Sequence, residues 1–296
     1  MHTTASDGRL TPVELVARAA AAGLTTISVT DHDTVAAIDE VTAAGEQSGI
    51  RVIPGIEITA IEEGRDVHML GYLFDRHSPQ LTELLVSQRE VRVARVREIA
   101  ARLESLNMFV DVEQVLLMAA SRPGSSVGRP QLARELVRAG FVESVQQAFD
   151  QLLATGRPAF VPRTGPSPAT VVDKIHAAGG VASFAHPGVT KRDDLIAPLI
   201  DRGLDAIEVY HSDHSPEDVT VYRGMAIRFN ALISGGSDFH GDDPGKPGRP
   251  HRSTFGVIAL PPDALAALEQ RARLRSASAE ASVRQAPAGA TGSQGS

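Results

Sequence analysis

Ten histidines are distributed unevenly over the 296 residues. Asp31-His32-Asp33 follows the β-branched run Thr25–Thr30. Glu57 lies within Arg51–Thr59 and His68 within Asp66–Phe74. His186 follows Val181–Ala185, and Ser237-Asp238-Phe239-His240 follows Ala231–Ser234. His2 and Asp7 stand at the front. Each has a plainer reading. A lone strand histidine is usually just hydrogen-bonded, Asp31 or Asp33 could cap a helix, and Gly235-Gly236-Ser237-Asp238 could be only a turn. What argues against accident is that all these strand runs contain or are followed by ligand-type residues. Imidazoles and carboxylates crowded on one rim desolvate or repel one another unless a cation sits among them. Mixed His and carboxylate donors without thiolate suit Mn²⁺, Fe²⁺ or Zn²⁺. Several such cations a few ångströms apart are suited to phosphate ester hydrolysis by metal-activated water. A bridging carboxylate would hold two of them close, and Glu57 is the candidate.

The elements that must position these residues alternate. Thr11-Pro12-Val13-Glu14 is a capping box with proline at the first helical position, and Gly23 suits the end of that helix. Strands are expected at Thr25–Thr30, Arg51–Thr59 and Asp66–Phe74, with a helix over Thr34–Ser48. After Ser167 the rhythm of helix and strand returns. Such alternation predicts parallel βαβ units, whose strand C-termini are where α/β folds build sites. Ile56 and Ile58 should face one way and Glu57 the other; Val67 and Met69 one way and His68 the other.

The middle differs. Residues 79–160 read as helices without an intervening strand, an inserted helical subdomain between barrel segments 1–78 and 161–274. Arg89, Arg92, Arg95 and Arg97 in its first helix read as a solvated face, with phosphate binding the minority reading. Residues 275–296, rich in Ala, Gly, Ser and Gln, are expected to be disordered.

Composition narrows the function. The absence of cysteine removes disulfides, thiolate zinc sites and a cysteine nucleophile. A net charge of −7 argues against a generic duplex-DNA binder. No apolar run approaches the ~20 residues that span a bilayer. The first residues lack a signal-peptide core, so a soluble cytoplasmic protein is expected.

The stretches His2-Thr3-Thr4-Ala5-Ser6-Asp7-Gly8, Thr30-Asp31-His32-Asp33-Thr34, Pro54-Gly55-Ile56-Glu57, Val67-His68-Met69-Leu70-Gly71, Ala185-His186-Pro187 and Gly236-Ser237-Asp238-Phe239-His240 occur in that order. Together they resemble the PHP (polymerase and histidinol phosphatase) family. The resemblance implies an α/β fold, a distorted seven-stranded β/α barrel carrying up to three divalent metals, Mn or alternatively Fe or Zn. It implies that His2, Glu57 and Asp238 serve one metal, Asp7, His32 and His240 a second, and Glu57, His68 and His186 a third. Arg129, in Gly128-Arg129-Pro130, matches a family arginine that meets substrate phosphate; Arg157 and His214 are weaker candidates. The nearest branch implied releases phosphate from 3′,5′-bisphosphonucleosides and AMP. The alternatives are a 5′→3′ exonuclease on short RNAs and a non-catalytic nucleotide-binding module. The partner expected is a nucleotide or short RNA, with neither duplex DNA nor a membrane; oligomeric state is left open.

Three departures stand out. The family's His-x-His is represented only by His2, because the chain begins Met1-His2. The expectation is therefore a barrel short of its first strand, with an exposed edge prone to pairing and one metal a ligand short. The favoured account is a start placed too late, Met1 being the middle residue of the motif. Gln131 stands where the family often has histidine, and Phe160 where it often has tyrosine. Both bear on substrate preference.

Overall fold

The computed structural model of the chain describes residues 1–120, 127–241 and 255–285. Six strands form one curled sheet in sequential order: β1 Thr26–Val29, β2 Arg51–Glu62, β3 Arg65–Tyr72, β4 Val181–Phe184, β5 Ala206–His211 and β6 Leu232–Gly236. The helices are α1 Pro12–Ala21, α2 Ile38–Ser48, α3 Pro79–Ser105, α4 Val112–Ala120, α5 Arg129–Arg138, α6 Val145–Ala148, α7 Pro168–Ala177, α8 Pro187–Thr190, α9 Ile196–Asp201, α10 Pro216–Arg228 and α11 Pro262–Gln285. None of them is long and apolar enough to cross a membrane, among the described residues.

The capping box of α1 forms as its residues dictate, with Thr11 accepting from the Glu14 amide and Glu14 from the Thr11 amide. The sheet departs from the parallel expectation. β1/β2, β4/β5 and β5/β6 are parallel, but β2/β3 and β3/β4 are antiparallel. Only Glu63 and Gly64 separate β2 from β3, at φ +50° and +73°. Two consecutive positive φ values make the tight turn whose twist matches a hairpin, so no crossover helix fits there. α2 starts at Ile38, later than Thr34.

The main apolar cluster lies between the sheet and helices α3, α7 and α10, with Ile56, Ile58, Val67, Met69, Val172, Phe184 and Ile207 at its heart. A separate cluster joins α3, α4 and α5 to residues 148–161 through Val96, Ile99, Leu103, Leu132, Leu136 and Leu153. β1 and β6 are the two ends of the sheet. A cleft of about 400 Å³ opens between them, lined by Ile27 and Ser28 on one side and Ser234 and Gly235 on the other. Residues 1 and 2 span its upper end: Thr30 N donates to Met1 O, and His2 N to Phe239 O.

α11 also corrects an expectation. The stretch 275–285, read as disordered, continues the helix to Gln285; residues 286–296 lie outside those described. The anchor is Asp205, whose buried carboxylate takes hydrogen bonds from Arg271 (2.9 Å), from both terminal nitrogens of Arg275 (2.8 Å each) and from the Ala182 amide (3.0 Å).

Candidate metal centre

The alternation of β2 and β3 sorts the site from the core. Ile56, Ile58, Val67 and Met69 are fully buried in the main cluster. Glu57 and His68 therefore point the other way. Glu57 is 2 % exposed, and its two oxygens face different histidines. Oε1 lies 2.6 Å from His68 Nδ1 and 3.0 Å from His186 Nε2. Oε2 lies 3.2 Å from His2 Nε2 and 4.0 Å from His32 Nδ1. His2 Nε2 is also 3.0 Å from Asp238 Oδ1. Asp7 completes the rim, 3.3 Å from His240, 3.6 Å from His2 and 3.9 Å from His32.

Three overlapping sets have donor atoms within 4.8 Å of one another: His2, Asp7, His32 and His240; His32, Glu57 and His68; His2, Glu57 and Asp238. Two of them contain ligand sets implied by the resemblance. The middle set has His32 where the resemblance gives His186, which stands against Glu57 Oε1 from the far side.

The donors fit a cation. Both ring nitrogens of His2, Nδ1 of His32 and Nδ1 of His68 are buried without a hydrogen bond. Buried polar atoms are normally satisfied, so several orphans at one point need a reason. A cation within a donor set supplies it, since each neutral ring has one lone pair to give and the carboxylates lie at ion-pair distance but out of hydrogen-bond alignment.

The local chain is held for this purpose. Asp31 does not cap a helix. It accepts from Thr3 N (2.7 Å), Thr3 Oγ1 (2.7 Å) and Ser6 Oγ (2.6 Å), fixing the loop that carries Asp7. That loop folds back so closely that a Cβ on Gly8 would lie 2.3 Å from His2 O. Asp33 accepts from Thr59 N and Oγ1 (2.7 and 2.9 Å) and pairs with Arg92. His186 and Asp238 both sit at positive φ, +26° and +48°. Non-glycine residues held there cost about 1–3 kcal/mol each and persist where the surroundings over-determine them.

The electrostatics follow from crowding. Burial disfavours the His2 imidazolium, but Asp238 and Glu57 outweigh it and raise its pKa to about 9. Burial likewise opposes charge on His186, and Glu57 raises it to about 9. His32 goes the other way, to about 4, through burial and despite Glu57, with His2 and His68 adding repulsion. Glu57 stays well below the usual carboxylate range: burial pushes it up, and His32, His68, His186 and His2 overcome that. A histidine ligand must be neutral, so protons on His2 and His186 compete with metal. Mn²⁺ affinity should therefore rise with pH between about 6 and 9, by up to about two log units per pH unit if both protons leave. Calorimetry in buffers of different ionisation enthalpy reads the protons released; a pH-independent affinity with none released would refute this.

A second cleft of about 380 Å³ opens beside Asp7, His32 and His68 and reaches Arg92, Arg95, Arg129 and Arg163. Arg129 starts α5, donates to Leu153 O at 3.1 Å, and lies 5.7 Å from the ring centres of both Phe149 and Phe160. Arg92 and Arg95 correct the reading of a solvated face: only Arg89 and Arg97 of that run are exposed. Arg95 falls to about 10 through burial and the nearby Arg129 and Arg163. The signal was spacing, since Gln88, Arg92 and Arg95 share the face of buried Leu85, Val96 and Ile99. Arg157 is exposed and does not line this cleft. His214 is engaged on both nitrogens, Nδ1 donating to Val209 O (2.8 Å) and Nε2 accepting from Gly188 N (3.1 Å), so it props the backbone. Two buried residues escaped sequence reasoning: Glu208, which accepts from His186 N at 2.7 Å, and His211, 3.5 Å from Asp238. Both lie on β5, whose apolar neighbours mask them.

The comparisons with known proteins agree with this geometry. The PHP domain family matches residues 1–155. A 5′-3′ exoribonuclease of Haemophilus influenzae is 37 % identical over 244 residues, covering 81 % of this chain and 88 % of the relative. A 3′,5′-nucleoside bisphosphate phosphatase of Chromobacterium violaceum is 34 % identical over 256 residues, covering 84 % and 87 %. The solved structure of a Bifidobacterium adolescentis protein assigned as a metal-dependent phosphoesterase superposes with a TM-score of 0.74 at 32 % identity, over 91 % of this chain and 94 % of that one. Relatedness across four-fifths of the sequence, carried into a shared fold, makes this chain a member of the PHP domain family, a family of metal-dependent phosphoesterases.

Proposed function

We propose that this chain releases phosphate from nucleotides, 3′,5′-bisphosphonucleosides and AMP, with Mn²⁺, or alternatively Fe²⁺ or Zn²⁺, held at up to three positions by His2, Asp7, His32, Glu57, His68, His186, Asp238 and His240. The observation that carries the reading is the split of Glu57, one oxygen toward His68 and His186 and the other toward His2 and His32. A carboxylate so placed can bridge two cations. When bound, divalent cations ionise a water and neutralise phosphate oxygens. The chain's own part is to orient the ester and balance its charge. Arg129 does this at the cleft wall, its guanidinium held by two phenylalanines so that the fork faces phosphate. No protein nucleophile is required. The same reading takes residues 79–160 as an inserted helical subdomain, which the separate apolar cluster supports.

The test is phosphate release from adenosine 3′,5′-bisphosphate with Mn²⁺ supplied. Turnover abolished by a chelator is expected. A 5′-phosphorylated oligoribonucleotide in parallel tests the second reading, 5′-3′ exonuclease, which the name of the Haemophilus relative favours. Nucleotide binding with no turnover of either substrate would overturn hydrolysis and leave a binding module.

Arg129→Ala should raise KM about 10–100-fold with a smaller change in kcat, in line with about 1.5–3 kcal/mol for a charge-assisted contact. Arg129→Lys should recover little, since an ammonium cannot reproduce the fork. Steady-state kinetics checks both; an unchanged KM removes Arg129 from the substrate site.

A further inference from the structure

His211 ends β5 with its side chain fully buried. Its Nδ1 accepts a hydrogen bond from the Asp213 amide at 3.0 Å. An acceptor nitrogen carries no proton, so the neutral ring's proton sits on Nε2. Nε2 faces Asp238 Oδ2 at 3.5 Å, an ion-pair distance, and no hydrogen bond satisfies this buried atom. The other carboxylate oxygen, Oδ1, faces His2 Nε2 and, at 3.6 Å, His240 Nδ1. Asp238 is thus presented with one oxygen toward the candidate metal donors and the other toward a donor of fixed tautomer. The adjoining turn repeats the arrangement: buried Ser212 donates its Oγ proton to Ser237 O at 2.7 Å. Asp238 itself is held at φ +48°, and the turn after β5 braces it from behind.

We propose that His211 is a positioning residue, whose Nε2–H holds the Asp238 carboxylate in its ligating orientation and fixes which oxygen remains for a cation. This rests on the metal reading of the site. The logic is general, because partners that orient a ligating group and set its basicity typically govern metal affinity by about 10–100-fold. Here the ligand is the carboxylate and the imidazole is the support. Neither His211 nor Ser212 needs to touch substrate.

The test is Mn²⁺ binding by calorimetry on the full chain, comparing wild type, His211→Phe and His211→Gln. Phenylalanine keeps a ring but removes the donor; glutamine returns an N–H near the position of Nε2. His211→Phe should bind Mn²⁺ about 10–100-fold more weakly, and His211→Gln should recover most of the loss. Equal weakening by both would show that ring packing alone matters and overturn the proposal. Wild-type affinity in His211→Phe would overturn it directly. Failure of wild type to bind Mn²⁺ would overturn the metal reading and this proposal with it. Should His211→Phe not fold, nitrogen NMR of the metal-free wild-type imidazoles, assigned against His211→Gln, decides the point. The Nε2–H tautomer is expected, and a proton on Nδ1 would refute the assigned role.

Discussion

Glu57→Gln should cost the chain its metal. The substitution keeps the shape and removes the one charge that faces His2, His32, His68 and His186 at once. Glutamine also puts an N–H₂ where one oxygen stood, and an amide nitrogen has no lone pair for a cation. Loss of a group that supports ligands typically costs about 10–100-fold in metal affinity, and a shared ligand should cost more than the upper end of that range. Two of the three donor sets contain Glu57, so both should empty together while His2, Asp7, His32 and His240 retain residual binding. Calorimetry and metal analysis of the purified protein read this directly. The His186 imidazole should also lose the main carboxylate that raises it to about 9, and His2 one of two, Asp238 being the other, so both titrate lower in the variant. Mn²⁺ bound at wild-type affinity and stoichiometry by Glu57→Gln would exclude the bridging role.

Asp205→Ala should damage the fold while sparing the site. The side chain is fully buried and binds His176 Nε2 (2.8 Å), Arg271, Arg275 and the Ala182 amide. Burial pushes its pKa up, yet His176 and Arg275 overcome that and hold it well below the usual carboxylate range. A depressed carboxylate contributes stability that is present above its unfolded pKa and lost as pH falls through the folded value. The clamp should therefore be complete at neutral pH and fail only in strong acid. Removing one partner of a buried pair costs about 3–5 kcal/mol because the others are left uncompensated; the partly exposed Arg271 places the expectation toward the lower end. At about 2–4 °C per kcal/mol, the melting temperature should fall by roughly 6–15 °C. α11 loses its anchor to the sheet, whereas the donor sets are built from residues outside that clamp. Mn²⁺ affinity measured well below the melting point should stay within a few-fold. An unchanged melting temperature would show that Leu268 and Ala272, packed on Val181 and Ala206, hold α11 without the clamp.

Much of the site is legible in one dimension because ligand chemistry is local to short motifs in and after the strands. The eight candidate metal ligands fall on six short motifs, and alternation along two of them separates Glu57 from Ile56 and Ile58, and His68 from Val67 and Met69. All eight converge in space. The supports behind them are not legible. Asp31 is indistinguishable from a helix cap until Thr3 and Ser6 arrive from the other end of the contact. Arg95 reads as solvent-facing until Val161 O accepts from it across 66 positions of sequence. His214 carries the residue type of a substrate contact, but Val209 O and Gly188 N occupy it.

The sequence by itself determined the donor chemistry, the order of the motifs, the α1 capping box and the alternation of β2 and β3, because each depends on residue type and on neighbours a few positions away. Tertiary structure alone decided that Glu57 divides its oxygens between two pairs of histidines, that α11 persists to Gln285 under the Asp205 clamp, and that His211 stands behind Asp238. Those outcomes depend on contacts between distant positions, and such contacts exist only once the sheet has curled and brought its strand ends together.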